Sequence, residues 1–291
     1  MKKNKYIVYA ILAAVLYALS TPFSKLILED LSPTFIASLL YLGAGLGMGI
    51  IALLRLHFTD HDYKRFTKQS LPAIIGMILL DILAPIILLF GLNMTNPENV
   101  ALLNNFEVVS TALFAFFIFK EAIPKRLRFA IILVTIASII LSVDDISAFK
   151  FNFGSLLVLL AALSWGLENN FTRKLSLNDP LMVVVIKGIF SGLGSLIIAV
   201  SLREVSFNMP IIGFTLLLGF VAYGLSIFLY VTAQSRLGAA KTSAFYAFAP
   251  FVGAILSLMI FKEIPGLNFF IAIIIMAIGS YFASTEKKST K

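Results

Sequence analysis

The chain has 291 residues, 59% hydrophobic and 13% charged, with a mean hydropathy of +0.97 and a formal net charge of +8. A soluble domain is nearer a quarter charged, so these values exclude a soluble globular protein and describe an integral membrane protein. The lack of cysteine excludes a disulfide framework, a thiol nucleophile and a Cys-based metal site.

Along the chain run ten apolar spans, each near the roughly 20 residues a helix needs to cross hydrocarbon. They cover 6–28, 33–55, 71–91, 98–119, 127–143, 153–173, 181–202, 210–233, 239–261 and 267–284. Short connections such as "EDLSP", "NMTNPE" and "LSLNDP" carry the Pro, Asn and Asp that end helices and reverse the chain. The opening "MKKNK" before an apolar run also fits a signal peptide, a reading displaced by the internal repeat described below.

The first span places Tyr17, Thr21 and Ser24 on one face. In the second, "GAGLGMG" at 43–49 imitates a nucleotide loop but lacks the strand-turn-helix context. With Gly188 and Gly192 of the seventh span it reads as a small-xxx-small packing surface. The third span carries Asp81 at mid-depth, where an aspartate lacks the reach to snorkel. Pro85 cannot donate to the Asp81 carbonyl, so that helix is either merely kinked there or broken beside a polar side chain. The fourth span carries an equally deep Glu107, sharing a face with Asn104 and Thr111.

The sixth span ends in "LSWGLENNFTRKL", 163–175, with Glu168, Asn169 and Asn170 where a membrane helix would want leucine. Ser164, Glu168 and Thr172, with Trp165 and Asn169, form a polar stripe. Glu168 either snorkels to Arg173 or Lys174 or faces a cavity. Lys187 in the seventh span either neutralises one of the acids or snorkels inward. The ninth span aligns Ser243, Tyr246, Pro250 and Ser257, and Pro250 frees the Tyr246 carbonyl. Helix–helix hydrogen bonding alone also accounts for such faces, and Glu107 can equally be a structural acid.

With the amino terminus in the cytoplasm, 18 of the 23 Lys and Arg fall in inner segments, Lys25, Lys150, Arg203 and Lys262 in outer ones, and Lys187 inside a span. This follows the positive-inside rule with both termini cytoplasmic and the Asp144–Asp145 loop outside. The basic balance is therefore topological, and no aromatic interleaving or compact basic face marks a nucleic-acid partner.

Two segments recur. "FFIFKEAIP" at 116–124 returns as "LMIFKEIPG" at 258–266, and "ILAAVLYALSTPFSKL" at 11–26 returns as "LLAALSWGLENNFTRK" at 159–174. Tyr17 aligns with Trp165, Phe23 with Phe171 and Lys25 with Arg173. Residues 1–146 and 147–291 thus read as two copies of five spans each. An odd number per copy inserts the second upside down, the arrangement by which many carriers place a substrate site at mid-membrane. The expected fold class is an all-α integral membrane protein of ten transmembrane helices in two inverted five-helix repeats.

These repeats, each with a "FKE" turn before its last helix, resemble the EamA-type drug/metabolite transporter superfamily. "ALLNNFEVVSTALFAFFIFKEAIP" resembles the family's "LEP…LGE" helix pair, with Phe106-Glu107 in the Leu-Glu place and Val108 in place of proline. In the second copy Phe248-Ala249-Pro250 keeps the proline and loses the acid. The resemblance covers about residues 8–284 and implies a transporter, the family exporting amino acids, drugs and other metabolites and in some cases importing choline.

Enzyme readings fare badly. Asp81 is the lone aspartate buried in a span, so an intramembrane aspartyl protease lacks its second acid. His57 and His61 share one loop, and no Walker motif is present. The reading is a secondary active transporter, an exporter of a small amine-bearing or cationic metabolite, alternating access at the plasma (inner) membrane. Its substrate-binding set is Asp81, Glu107, Glu168, Asn104, Asn169, Tyr17, Trp165 and Tyr246. With Lys187 the acids leave a net charge near −2, and the aromatic residues add cation–π attraction. A desolvated carboxylate can also trade a proton for a cation, which makes antiport with protons part of the expectation. The alternatives are an exporter of neutral or aromatic amino acids, or an importer of a quaternary amine such as choline. Membrane lipid is the other partner, the protein is a monomer or homodimer, and neither cofactor, metal nor nucleic acid is expected.

Overall fold

A computed structural model describes residues 2–58, 66–118, 125–145, 150–176, 178–237, 242, 246, 248–263 and 265–284. Apolar side chains outnumber what a helical interior can hold. Leu53, Leu79, Ile197 and Ile274, on four different helices, stay more than half exposed, as lipid-facing residues must. By length and apolarity six stretches can cross a membrane: Lys5–Ile27, Pro33–Arg55, Lys68–Met94, Pro97–Phe117, Pro180–Ser201 and Met209–Leu237. Of the four other expected spans, three appear as shorter apolar helices, Arg128–Leu141, Ala249–Phe261 and Leu267–Phe282. The fourth, Phe153–Leu175, has 23 residues but carries Glu168, Asn169, Asn170, Arg173 and Lys174. The chain is a multi-pass, helical membrane protein.

Several spans are not single rods. The first divides into α1 (Lys2–Ala18) and α2 (Ser20–Ile27). The cause is Pro22, which cannot donate to the Ala18 carbonyl. After α3 (Pro33–Phe58) comes α4 (Leu71–Met94), which runs unbroken through Pro85. Of the two readings at Pro85, a break beside Asp81 is not seen, and the proline sits inside one continuous helix.

The fourth span instead divides into α5 (Pro97–Leu103) and α6 (Phe106–Phe117). Three-residue turns replace the helical ladder at the junction, Asn105 N–H donating to Leu102 O and Glu107 N–H to Asn104 O. Asparagine side chains compete with the helix for such groups, and the Asn105 amide donates across to Ser280 Oγ at 3.0 Å.

The chain continues with α7 (Lys125–Ser142) and a two-stranded hairpin, β1 (Val143–Asp145) and β2 (Lys150–Phe151). The strands pair antiparallel around a bulge where the sequence suggests only a loop. Then follow α8 (Phe153–Leu175), α9 (Pro180–Ser201), α10 (Met209–Leu218), a seven-residue π-helical stretch Gly219–Leu225, and α11 (Ser226–Leu237). Last come α12 (Ala249–Phe261) and α13 (Leu267–Ser284). Pro250 sits in the first turn of α12, a position that sacrifices no internal hydrogen bond. The part of the ninth expected span before Phe248 lies mostly outside the described residues. Ser243, the first "FKE" turn at 119–121, and the final residues 285–291 lie outside the described residues.

Helices of the first half pack chiefly against helices of the second: α1 on α11, α3 on α9, α4 on α8, α5 on α12 and α7 on α13. Glycines set the closest of these approaches. A Cβ on Gly188 would run into the backbone of Gly45, and one on Gly43 into that of Leu216, so α3 meets α9 and α10 backbone to backbone. Gly91 and Gly154 do the same for α4 and α8. Gly49, by contrast, faces open space and is not part of the packing surface expected of "GAGLGMG". Gly188→Leu should therefore destabilise the protein by about 1–3 kcal/mol or more through overpacking, and Gly49→Leu should leave it unchanged. Thermal midpoints in detergent measure both, and equal midpoints would refute the backbone contact.

Candidate functional site

Five elements bring polar residues to one place in the interior. Asp81 of α4 is fully buried; its Oδ1 accepts from the Tyr41 hydroxyl of α3 at 2.8 Å, and its Oδ2 lies 3.2 Å from Lys187 Nζ of α9. The same ammonium stands 3.0 Å from Glu168 Oε1 of α8, which is 1% exposed. Thr172, one turn further along α8, donates to that oxygen as well. Glu107 of α6 accepts from the Asn169 side-chain amide at 2.5 Å, and that amide also approaches Thr111 Oγ1 at 3.3 Å. Two carboxylates thus share one lysine while the third is held by a neutral amide.

Local packing explains the convergence. A Cβ on Gly166 would collide with Ser110 and the Thr111 backbone, so α8 lies directly on α6 there. Ser110 Oγ reaches the Ala162 carbonyl at 3.0 Å, and the Asn170 amide reaches Thr111 O at 3.2 Å. One turn of "ENN" therefore sends Asn169 and Asn170 to α6 and Glu168 towards α9. Gly188, beside Lys187, seats α9 on α3, which brings the ammonium and the Tyr41 hydroxyl to Asp81 from the same side.

Aromatic rings cover the remaining approach. Tyr17 lies 5.8 Å from Tyr223 and 5.7 Å from Tyr246 between ring centroids, Tyr41 lies 5.2 Å from Tyr223, and Tyr230 lies 4.7 Å from Tyr246. With Trp165, Glu107, Glu168, Asn169, Thr172 and Lys187 they line a cavity of about 50 Å³. That is room for roughly one or two waters and well below the few hundred Å³ of a metabolite site, so a substrate enters as these side chains part. Next along α11, a wider cavity of about 540 Å³ is lined by Arg55, Asn178, Asp179, Thr232, Ser235 and Arg236, among others. Arg55 pairs with Asp179 at 3.3 Å on its wall. At the other end of the molecule Lys25 Nζ donates to the carbonyls of Leu92 and Thr95, capping the end of α4.

Of the eight residues singled out by sequence, Tyr17, Glu107, Trp165, Glu168, Asn169 and Tyr246 line the small cavity. Asp81 lies behind it, joined through Lys187. Asn104, at the junction between α5 and α6, is not among the residues that line it. Its Oδ1 is buried without a hydrogen-bond partner. Sequence reasoning did not single out Tyr41, Tyr223 or Tyr230. The available signal was a tyrosine in an apolar span, whose hydroxyl must find a partner once buried.

A family model described as the EamA-like transporter family matches residues 4–143 and again 152–285. An uncharacterized transporter of Methanothermobacter thermautotrophicus is 24% identical over 270 residues, covering 87% of this chain and 78% of that protein. A solved crystal structure superposes with a TM-score of 0.70 at 16% identity, covering 96% of this chain and 95% of the other, and shares the fold.

Proposed function

This chain belongs to the EamA-like transporter family and is a membrane transporter, and from that premise we propose that it is a secondary carrier, exporting a small amine-bearing or cationic metabolite. The observation that carries this reading is an aromatic cavity holding Glu107 and Glu168, with Asp81 behind it and one lysine among the three acids. An ammonium there gains carboxylate partners and the faces of Tyr17, Trp165 and Tyr246, each cation–π contact contributing roughly 0.5–2 kcal/mol. Asp81 and Lys187 position Glu168; Asn169 positions Glu107. Proton antiport at Glu107, the one of the three acids that Lys187 does not hold, supplies the driving gradient in this reading.

The cross-packing of the halves supports alternating access between inverted repeats. Exchanging the two halves turns the α1–α11 pair into the α4–α8 pair and returns α3–α9, α5–α12 and α7–α13 to themselves. Under the positive-inside reading the wide cavity at Arg55, Asp179 and Arg236 opens to the cytoplasm, and the end closed by Lys25 faces outside. The location proposed is the plasma membrane, with both termini cytoplasmic. In this cysteine-free chain, Asp145→Cys should then react with a membrane-impermeant thiol reagent in intact cells. Labelling solely after lysis would reverse the topology.

Lys187 on the cavity wall favours a second reading, a neutral or aromatic amino acid whose carboxylate meets Lys187 and whose ammonium meets Glu107. Purified protein heated with tyramine, choline, putrescine or phenylalanine separates the two, since a ligand of the folded state raises its melting midpoint. Tyramine or choline should raise it most. A larger rise with phenylalanine would establish the amino-acid reading instead.

A further inference from the structure

The amine-binding carboxylates are not empty in this structure, because the protein's own ammonium occupies them. Lys187 Nζ lies within 3.2 Å of both Asp81 and Glu168, and all three side chains are buried. These groups sit on two separately zipped helix pairs. Lys187 and Tyr41 ride on α9 and α3, locked through Gly188 and Gly45; Asp81 and Glu168 ride on α4 and α8, locked through Gly91 and Gly154. Across the seam between the pairs run the two ion pairs of Lys187, the Tyr41–Asp81 hydrogen bond and a hydrogen bond from Ser191 of α9 to the Ile78 carbonyl of α4, with Gly194 of α9 seated on Ile82 of α4. Of the two acids, Glu168 alone also lines the cavity.

We propose that Lys187 is a tethered stand-in for the transported amine, holding Glu168 when no substrate is bound so that the empty carrier can change orientation. The inference rests on the amine-carrier reading above. An arriving ammonium takes Glu168, and Lys187 remains on Asp81. When the substrate leaves, Lys187 returns to Glu168 and closes the seam. A carrier left with two bare buried carboxylates would resist occlusion, because ions without partners are costly to withdraw from water. It would then reorient mainly with cargo bound and would exchange substrates rather than export them. Among the described residues, the other titratable groups around Lys187 and its two acids are Tyr41, Tyr223, Glu107, Tyr17, Tyr230 and Tyr246. None of them carries a positive charge that could replace it.

Ser235 is exposed on the wall of the wide cavity, so Ser235→Cys reports opening of that side by its rate of thiol labelling without any substrate. Lys187→Met in this background should raise labelling at least threefold, trapping the empty carrier with the wide cavity open. Lys187→Arg, or Glu168→Gln added to Lys187→Met, should return it to the parent rate, and the latter pair also removes the unbalanced charge that could impair folding. In liposomes, the ratio of tyramine exchange to net tyramine efflux should rise at least tenfold in Lys187→Met. Labelling that is unchanged in Lys187→Met, or not restored in the charge-balanced double variant, overturns the proposal. If the parent protein moves neither tyramine nor choline, the amine reading fails, and the labelling series still decides the role of Lys187.

Discussion

Asp81→Asn yields a folded protein that does not transport. Asparagine keeps the shape of the side chain and an oxygen to accept from the Tyr41 hydroxyl, now 2.8 Å from Asp81, so the α3–α4 contact survives. What is lost is the charge that anchors Lys187 from behind. Without that charge Lys187 pairs with Glu168 alone and no longer yields it to an arriving amine. Transport should drop by at least about tenfold, the effect of about 1.4 kcal/mol, while size-exclusion profile and yield stay near those of the parent. Transport within a few-fold of the parent would reduce Asp81 to a packing residue.

Glu168→Gln weakens amine binding at least several-fold, whereas Arg173→Gln changes it by less than about twofold. The two positions lie less than two turns apart on α8, but Glu168 is 1% exposed and paired inward with Lys187, and Arg173 is exposed. A factor of several is about 1 kcal/mol, what an opposite charge contributes at a partly screened site. Equal effects of the two substitutions would make Glu168 an interfacial anchor and move the amine site towards Glu107.

Most of the helical architecture was legible because lipid requires long apolar helices, and hydropathy records them directly. The interruptions were harder to read, because a proline's effect depends on its neighbours. Pro85 lies within an unbroken α4, Pro22 divides α1 from α2, and Pro250 merely starts α12. The division of α5 from α6 came from Asn104–Asn105, whose amide chemistry lacks the sharp signature of proline. Asn104 lies at that junction and does not line the cavity, whereas Glu107, three residues on, does.

The buried acids were visible as charges at membrane depth, and Lys187 as their counter-ion. The sharing of one ammonium by Asp81 and Glu168 was not, since it depends on how glycines on α3, α4, α8 and α9 set the spacing between helices far apart in sequence. The polar run "ENN" of the sixth span has a similar explanation. Glu168 is tolerated at that depth because α9 brings a lysine to it, and the two asparagines are tolerated because Gly166 brings α6 within reach of their amides.

Counterflow in liposomes containing the purified protein tests the central claim most directly. Vesicles preloaded with unlabelled tyramine and diluted into radiolabelled tyramine should accumulate label transiently and saturably, with choline competing and Glu168→Gln weakening the apparent affinity. Label that enters no faster than into protein-free vesicles, or that phenylalanine displaces while choline does not, would contradict an amine carrier built on Glu107 and Glu168.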